Sequence, residues 1–299
     1  MPSTASSSEI DSLLERLGVR WHSRGHVTFS GRSLVLLRGL DRLFLEWARA
    51  WNAAEYAFPP FLAARDLGRT DYFKSFQHLA TFPVSLSEEE DALVEFATKN
   101  ARVERALELG STRAVEDVLT PAACYHVYAH FQESALREPT YVTTQATCFR
   151  REAHYSALER QWSFTMREIV CLATAPVVRD FLSVMRERLG EFFRVTALPV
   201  SFEPATDPFF QGARHPKHFA QELETVKWEM VFAGRLAMGS LNYHRNYFGE
   251  SFAIRSAGAP AFSACVAFGI ERWIHAIVAT HGANPANWPA ELARCGEVA

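Results

Sequence analysis

Residues 175–193 place Val178, Phe181, Leu182, Met185, Leu189 and Phe192 three or four positions apart, which makes a single apolar helix face. A helix of that length with one such stripe must lie against something. The preceding segment, 164–172, has strand character, although 166–173 also fits a helix. A second stripe, Leu40, Leu43, Phe44, Trp47 and Trp51, predicts a helix from Leu40 to about Asn52. It should stop before Pro59 and Pro60, which favour extended backbone. Its broad aromatic face must pack on this chain's own sheet or on a partner.

The remaining elements follow from shorter signals. Residues 26–30 and 33–37, around Gly31, read as a hairpin. Ser85 to Glu90 (SLSEEE) looks like a capped helix start and predicts a helix running to about Leu109 and ending at Gly110. Residues 141–144 and 147–150 read as extended with a break between them. Residues 226–232, 236–243 and 251–255 read as strands, and 218–223 as a helix or insertion. The apolar run 264–268 leads into a helical pattern over 270–279, which Pro285 and Pro289 end. Strands interleaved with long helices, without a regular βαβ repeat, predict an α+β fold with a mainly antiparallel sheet. There is no GxGxxG fingerprint and no GxxxxGK[ST] phosphate loop.

Composition narrows the function classes. At 48% hydrophobic and 22% charged, the chain can bury a large core and is not globally disordered. A net charge of −3, from 31 basic and 34 acidic residues, argues against a protein that coats nucleic acid, while leaving room for a local positive pocket. No apolar run reaches membrane-spanning length, and the opening residues show no secretory pattern. Cys124, Cys148, Cys171, Cys265 and Cys295 are odd in number and form no CxxC pair, so a cytoplasmic protein fits better than a disulfide-stapled one.

The densest chemistry lies in Cys148-Phe149-Arg150-Arg151-Glu152 and Arg160-Gln161-Trp162-Ser163. Two extended segments joined by a polar loop would gather Arg150, Glu152 and Arg160, and in a strand positions 150 and 152 share a face. Arginine forks suit phosphate; a solvated hairpin with ordinary ion pairs is the alternative. Ser240, Asn242 and His244 would share one strand face, either a pocket floor or the solvent face of an edge strand. Gly269-Ile270-Glu271-Arg272-Trp273 would set Arg272 at a helix start, well placed to meet a polyphosphate. Cys124, Cys265 and a carboxylate suit zinc if the fold gathers them, but their spacing alone does not establish it. His126, His130, His215 and His218 lack an HExxH context and read as nonmetal residues.

These segments resemble the motifs of class II aminoacyl-tRNA synthetase catalytic domains, in particular the atypical zinc-dependent seryl branch of methanogens. CFRRE with RQWSFTMRE looks like motif 2, AFGIERW like motif 3, and the stretch through EYAFPPFLAA like motif 1. The likeness spans roughly residues 30–282. It implies an antiparallel sheet flanked by helices, a homodimer formed through motif 1, and bent ATP accompanied by magnesium. Arg150 would meet the α-phosphate, Glu152 the adenine side, Arg160 the outer phosphates and Arg272 the γ-phosphate. Gln161, Lys227, Glu229, Ser240 and Asn242 would line the ATP and amino-acid pocket. Cys124, Glu168 and Cys265 would bind zinc, whose open position takes the substrate's amine.

That seryl branch carries a large N-terminal tRNA-binding domain, whereas here a short extension, 1–29, precedes a catalytic domain over 30–299. The chain therefore looks like the truncated homologues called amino acid:[carrier protein] ligases. This implies activation of glycine or alanine as an adenylate, then transfer to the phosphopantetheine thiol of a small acidic carrier protein, with no tRNA and no membrane. An insertion near 205–225, through Arg214 and Lys217, would offer the carrier a positive edge; a mixed surface loop is the alternative. The competing functions are a free-standing synthetase core acting on tRNA and a noncatalytic paralogue serving as a binding subunit.

Overall fold

The computed structural model describes residues 7–210 and 225–297. Arg214, Lys217, His215, His218 and the element expected over 218–223 lie outside those residues. Seven strands form the central sheet: β1 (Ala54–Tyr56), β2 (Thr140–Phe149), β3 (Ser163–Ala173), β4 (Val200–Pro204), β5 (Lys227–Phe232), β6 (Leu236–Arg245) and β7 (Phe262–Gly269). Their order is β1-β2-β3-β7-β6-β5-β4. Only β1 and β2 pair in parallel; every other neighbouring pair is antiparallel, as expected.

Strand alternation sorts the side chains onto two faces. Along β3, Ile169, Cys171 and Ala173 join the main core, while Val170 and Leu172 pack on the opposite face. The main core lies beneath four helices: α1 (Ser7–Leu17), α2 (Gly31–Arg49), α4 (Ala175–Val195) and α5 (Ile270–His281). A short helix, α3 (Tyr125–His130), sits with the opposite face. The stripe read in 175–193 is the buried face of α4, with Val178, Phe181, Met185, Leu189 and Phe192 inside. At the centre Phe44 stacks on Phe268 at 4.1 Å and meets Trp273 edge-on at 4.9 Å. Full burial of side chains of this size contributes about 1.5–3 kcal/mol each.

Ile10, Leu14, Leu17 and Val19, ahead of residue 30, join this same core. The hairpin of Val19–His22 and His26–Phe29 then reaches the loop before β3. Gly25 turns it at φ 81°, and its carbonyl accepts from Trp162 N at 2.9 Å. A Cβ at Gly25 would fall 2.7 Å from the Tyr155 ring.

Several local expectations are corrected. Residues 33–37 are helical, because the buried stripe of α2 runs back through Leu40 and Leu36 to Ser33. Ser33 Oγ also bonds the backbone of Ser30, donating to its carbonyl at 2.9 Å and accepting from its N–H at 3.2 Å. The break expected near 145 is absent, since β2 is continuous, and 166–173 is strand rather than helix. The helix expected to reach Leu109 covers only Glu90–Lys99. Asn100 ends it: the side-chain amide donates to Phe96 O at 2.9 Å and to Glu108 O at 3.0 Å. The strand expected over 251–255 is replaced by a helical turn, Tyr247–Ser251, and a two-residue strand, Arg255–Ser256.

Candidate functional site

The sheet face away from the four helices opens into a cavity of about 500 Å³. Strand β2 ends at Phe149, so Arg150 and Glu152 leave the sheet and do not share a strand face; both nevertheless line the cavity. Strand β6 lies between β5 and β7, so the edge-strand alternative for Ser240, Asn242 and His244 fails and these residues form part of the floor. Gln161, Lys227, Glu229 and Arg272 also line it.

At one end, ligand atoms of Cys124, Glu168 and Cys265 lie within 4.8 Å of one another, all three buried. The fold brings them together because Cys124 immediately precedes α3, Glu168 sits mid-β3 and Cys265 sits on the adjacent β7. Glu168 Oε1 accepts from Ala123 N at 2.9 Å and Cys124 N at 3.2 Å, which fixes the carboxylate. The bond between the two thiols, burial and the nearby Glu168 charge together push Cys124 well above its ordinary range. Cys265 is lowered by its bond to Cys124, but burial and Glu168 outweigh that and raise it. Three acidic ligands crowded out of water favour a cation, which would release the thiol protons. Two sulfurs and one carboxylate are a donor set suited to zinc, with a fourth position left for another ligand. His126 stacks on Phe58 at 5.3 Å, and neither it nor His130 belongs to this cluster.

The other end is cationic. Arg150 donates Nε to Pro121 O at 2.8 Å and lies 5.2 Å above the Phe164 ring. Arg160 is not among the lining residues; its side chain is part-exposed at the rim and donates to Glu152, which does line the cavity, at 2.7 Å. Arg272, in the first turn of α5, donates to the carbonyls of Glu159 at 2.7 Å and Ala237 at 2.6 Å. Burial, and then the neighbouring charges of Arg150 and Arg160, lower the Arg272 pKa. Guanidinium groups gathered at one end of a cleft suit an anionic ligand. Nearby, burial disfavours a charged Lys227, but Asp207 at 3.2 Å and Glu229 at 3.1 Å outweigh it and raise its pKa.

Sequence reasoning missed several lining residues. Phe164 and Met166 lie four and two positions before Glu168 on β3, so strand alternation alone places them on the same face. Tyr72, Glu159 and Asp207 line the cavity from irregular or short segments with no periodic signal. Glu271, beside Arg272, is raised by burial to about 7, despite accepting bonds from Thr165 N at 2.8 and 3.0 Å.

No protein-family model matches the chain. Among curated proteins it is 32% identical over 301 residues to amino acid–[acyl-carrier-protein] ligase 1 of Bradyrhizobium diazoefficiens, covering 95% of this chain and 88% of that one. Ligase 2 of the same organism is 31% identical over 305 residues, covering 96% and 88%. Among solved structures, the M. kandleri seryl-tRNA synthetase in complex with A. aeolicus tRNASec superposes with a TM-score of 0.82 at 18% identity. That superposition covers 99% of this chain and 61% of the synthetase chain. A prolyl-tRNA synthetase from Cryptosporidium parvum superposes at 0.68 and 12% identity, covering 92% and 52%. At these identities the solved structures show a shared fold.

Proposed function

The chain belongs to the amino acid–[acyl-carrier-protein] ligases, built on the class II aminoacyl-tRNA synthetase fold, and from that premise we propose how its cavity works. It is a ligase that transfers an amino acid to a carrier protein. In our reading the amino acid is glycine or alanine, activated by ATP with magnesium and then passed to a phosphopantetheine thiol. The observation that carries this is that the Cys124–Glu168–Cys265 cluster and the Arg150–Arg272 anion site line one cavity.

An amino-acid carboxylate oxygen attacks the α-phosphorus, forming a new P–O bond as the bond to pyrophosphate breaks. The carrier thiol then attacks the adenylate carbonyl and AMP departs. Arg150 and Arg272 stabilise charge on the phosphate oxygens, and Arg160 approaches them while bonded to Glu152. Glu152 and Gln161 face the adenine side. Lys227, Glu229, Ser240 and Asn242 complete the nucleotide and amino-acid walls. Cys124, Glu168 and Cys265 would hold zinc, which when bound supplies a Lewis-acid position for the substrate amine. Most of the rate gain then comes from positioning.

The test is amino-acid-dependent pyrophosphate exchange with glycine, alanine and serine, paired with transfer to a phosphopantetheinylated carrier and to tRNA. Exchange with glycine or alanine, together with carrier loading and no tRNA product, supports the reading. Exchange with serine alone, or loading of tRNA, overturns it. The working state is proposed as a cytoplasmic homodimer, which sedimentation of the purified enzyme would check.

A further inference from the structure

Cys265 differs from Cys124 in what surrounds its sulfur. Asn242, its partner in the β6–β7 register, donates Nδ2 to Cys265 Sγ at 3.2 Å and to Ser240 Oγ at 2.9 Å. Two residues on, on the same strand face, His244 brings Nε2 to 3.8 Å from that sulfur. Its Nδ1 meets two hydroxyls, Tyr128 Oη at 3.1 Å and Ser263 Oγ at 3.2 Å. Phe248 closes edge-on against the ring at 4.9 Å and stacks on Tyr128 at 3.8 Å, so the imidazole is caged. The backbone N–H of Cys124 goes to Glu168, and among the described residues no side chain outside the cluster bonds the Cys124 sulfur.

A metal-bound thiolate carries no proton, so a bare nitrogen facing it would set lone pair against lone pair. One tautomer fits: Nε2 protonated and donating to sulfur, with the Nδ1 lone pair shared by the two hydroxyls as donors. His244 is not itself among the converging ligands: near as it is to Cys265, among the described residues only Cys124, Glu168 and Cys265 form a set whose ligand atoms all lie within 4.8 Å of one another.

We infer that His244, oriented by Tyr128 and Ser263 and joined by Asn242, clamps the Cys265 thiolate with a second N–H bond and so sets how tightly the cluster holds its ion. Hydrogen bonds to sulfur fix it in place and stabilise its negative charge, so losing one would loosen the site. Cys265 is the held sulfur of the pair, and Cys124 the one without such donors among the described residues. His244 is a positioning residue, and its role rests on the metal reading given above.

The experiment measures zinc affinity by competition with a chelator, and the thiolate-to-metal charge-transfer band after cobalt substitution, in the wild type, His244→Leu, His244→Gln and Tyr128→Phe. His244→Leu should weaken zinc about 10- to 100-fold, the usual cost of losing an outer hydrogen bond at a metal site, and shift the band. His244→Gln, which keeps an N–H donor of similar reach, should restore most of both. Unchanged affinity and band in His244→Leu overturn the inference. So does a glutamine variant as weak as the leucine one, which would assign the ring to packing. Should His244→Leu fail to fold by circular dichroism, Tyr128→Phe decides. It keeps the aromatic wall and removes one hydroxyl holding Nδ1; a few-fold loss with a shifted band supports the clamp, and no change overturns it. Wild-type protein that takes up no zinc would fail at the earlier step, the metal reading itself.

Discussion

On one face of the sheet, Phe44, Trp47, Phe268 and Trp273 interlock beneath four helices. On the other, Arg150 and Arg160 lie near enough to Arg272 to help burial lower its pKa, and Cys124, Glu168 and Cys265 crowd three acidic groups together. Both faces draw on the same strands: β3 sends Ile169 and Cys171 one way and Glu168 the other, and β7 sends Val266 one way and Cys265 the other. The first face is settled within the chain, because apolar burial needs no further partner. The second gathers charged and acidic groups whose chemistry suits bound ions. Stability and function thus sit back to back, one residue apart in sequence.

The sharpest way to break this comparison is to damage each face separately. Trp273→Ala strikes the packed face, removing a fully buried indole. It should cost about 3–5 kcal/mol, the usual loss for a large aromatic in a core. Denaturant unfolding would show this as a lower midpoint. Arg272→Ala, its immediate neighbour, strikes the open face. It should lower kcat/KM for pyrophosphate exchange about 10²- to 10³-fold, as loss of one charge-stabilising donor does, while the unfolding midpoint moves far less than in Trp273→Ala. Equal destabilisation by the two variants would mean that the faces are not separate.

The two faces were unequally legible in the sequence. The packed face announces itself by periodicity: the stripes of α2 and α4 and the alternation of β3 are local patterns, each read within one window. Where that face misleads, the window is too short: the five residues of 33–37 fit either period until the buried stripe is followed back from Leu40 to Leu36. The open face depends on contacts across long sequence distances. Nothing local joins Cys124 to Glu168 and Cys265; the link came from motif resemblance, and its geometry only from the register of β3 with β7 and the placement of α3. Asp207 and Tyr72 reach the cavity from segments without a period, and no local pattern marks them. His244 was placed on the right strand face by alternation, but its contact with sulfur depends on the neighbouring strand.

Glu271 tests the boundary between the faces by pH. It sits in the first turn of α5 beside Arg272, where the cavity wall meets the core, and burial holds its carboxyl at about 7 in place of the usual 4.5. The folded state therefore binds this proton more tightly than the unfolded chain does. Its stabilising contribution is complete below pH about 4.5 and is lost as pH rises through that value to about 7, by up to about 3 kcal/mol. Glu271→Gln cannot ionise, yet its side-chain oxygen can still accept from Thr165 N. Thermal melts of the two proteins should nearly coincide at the acid end of this window, with the variant increasingly the more stable toward pH 8. If the two curves stay parallel across the window, the carboxylate is already ionised in the folded protein. Glu271, which lines the cavity, would then stand there as a charge beside Arg272 and belong with the open face by chemistry as well as by position.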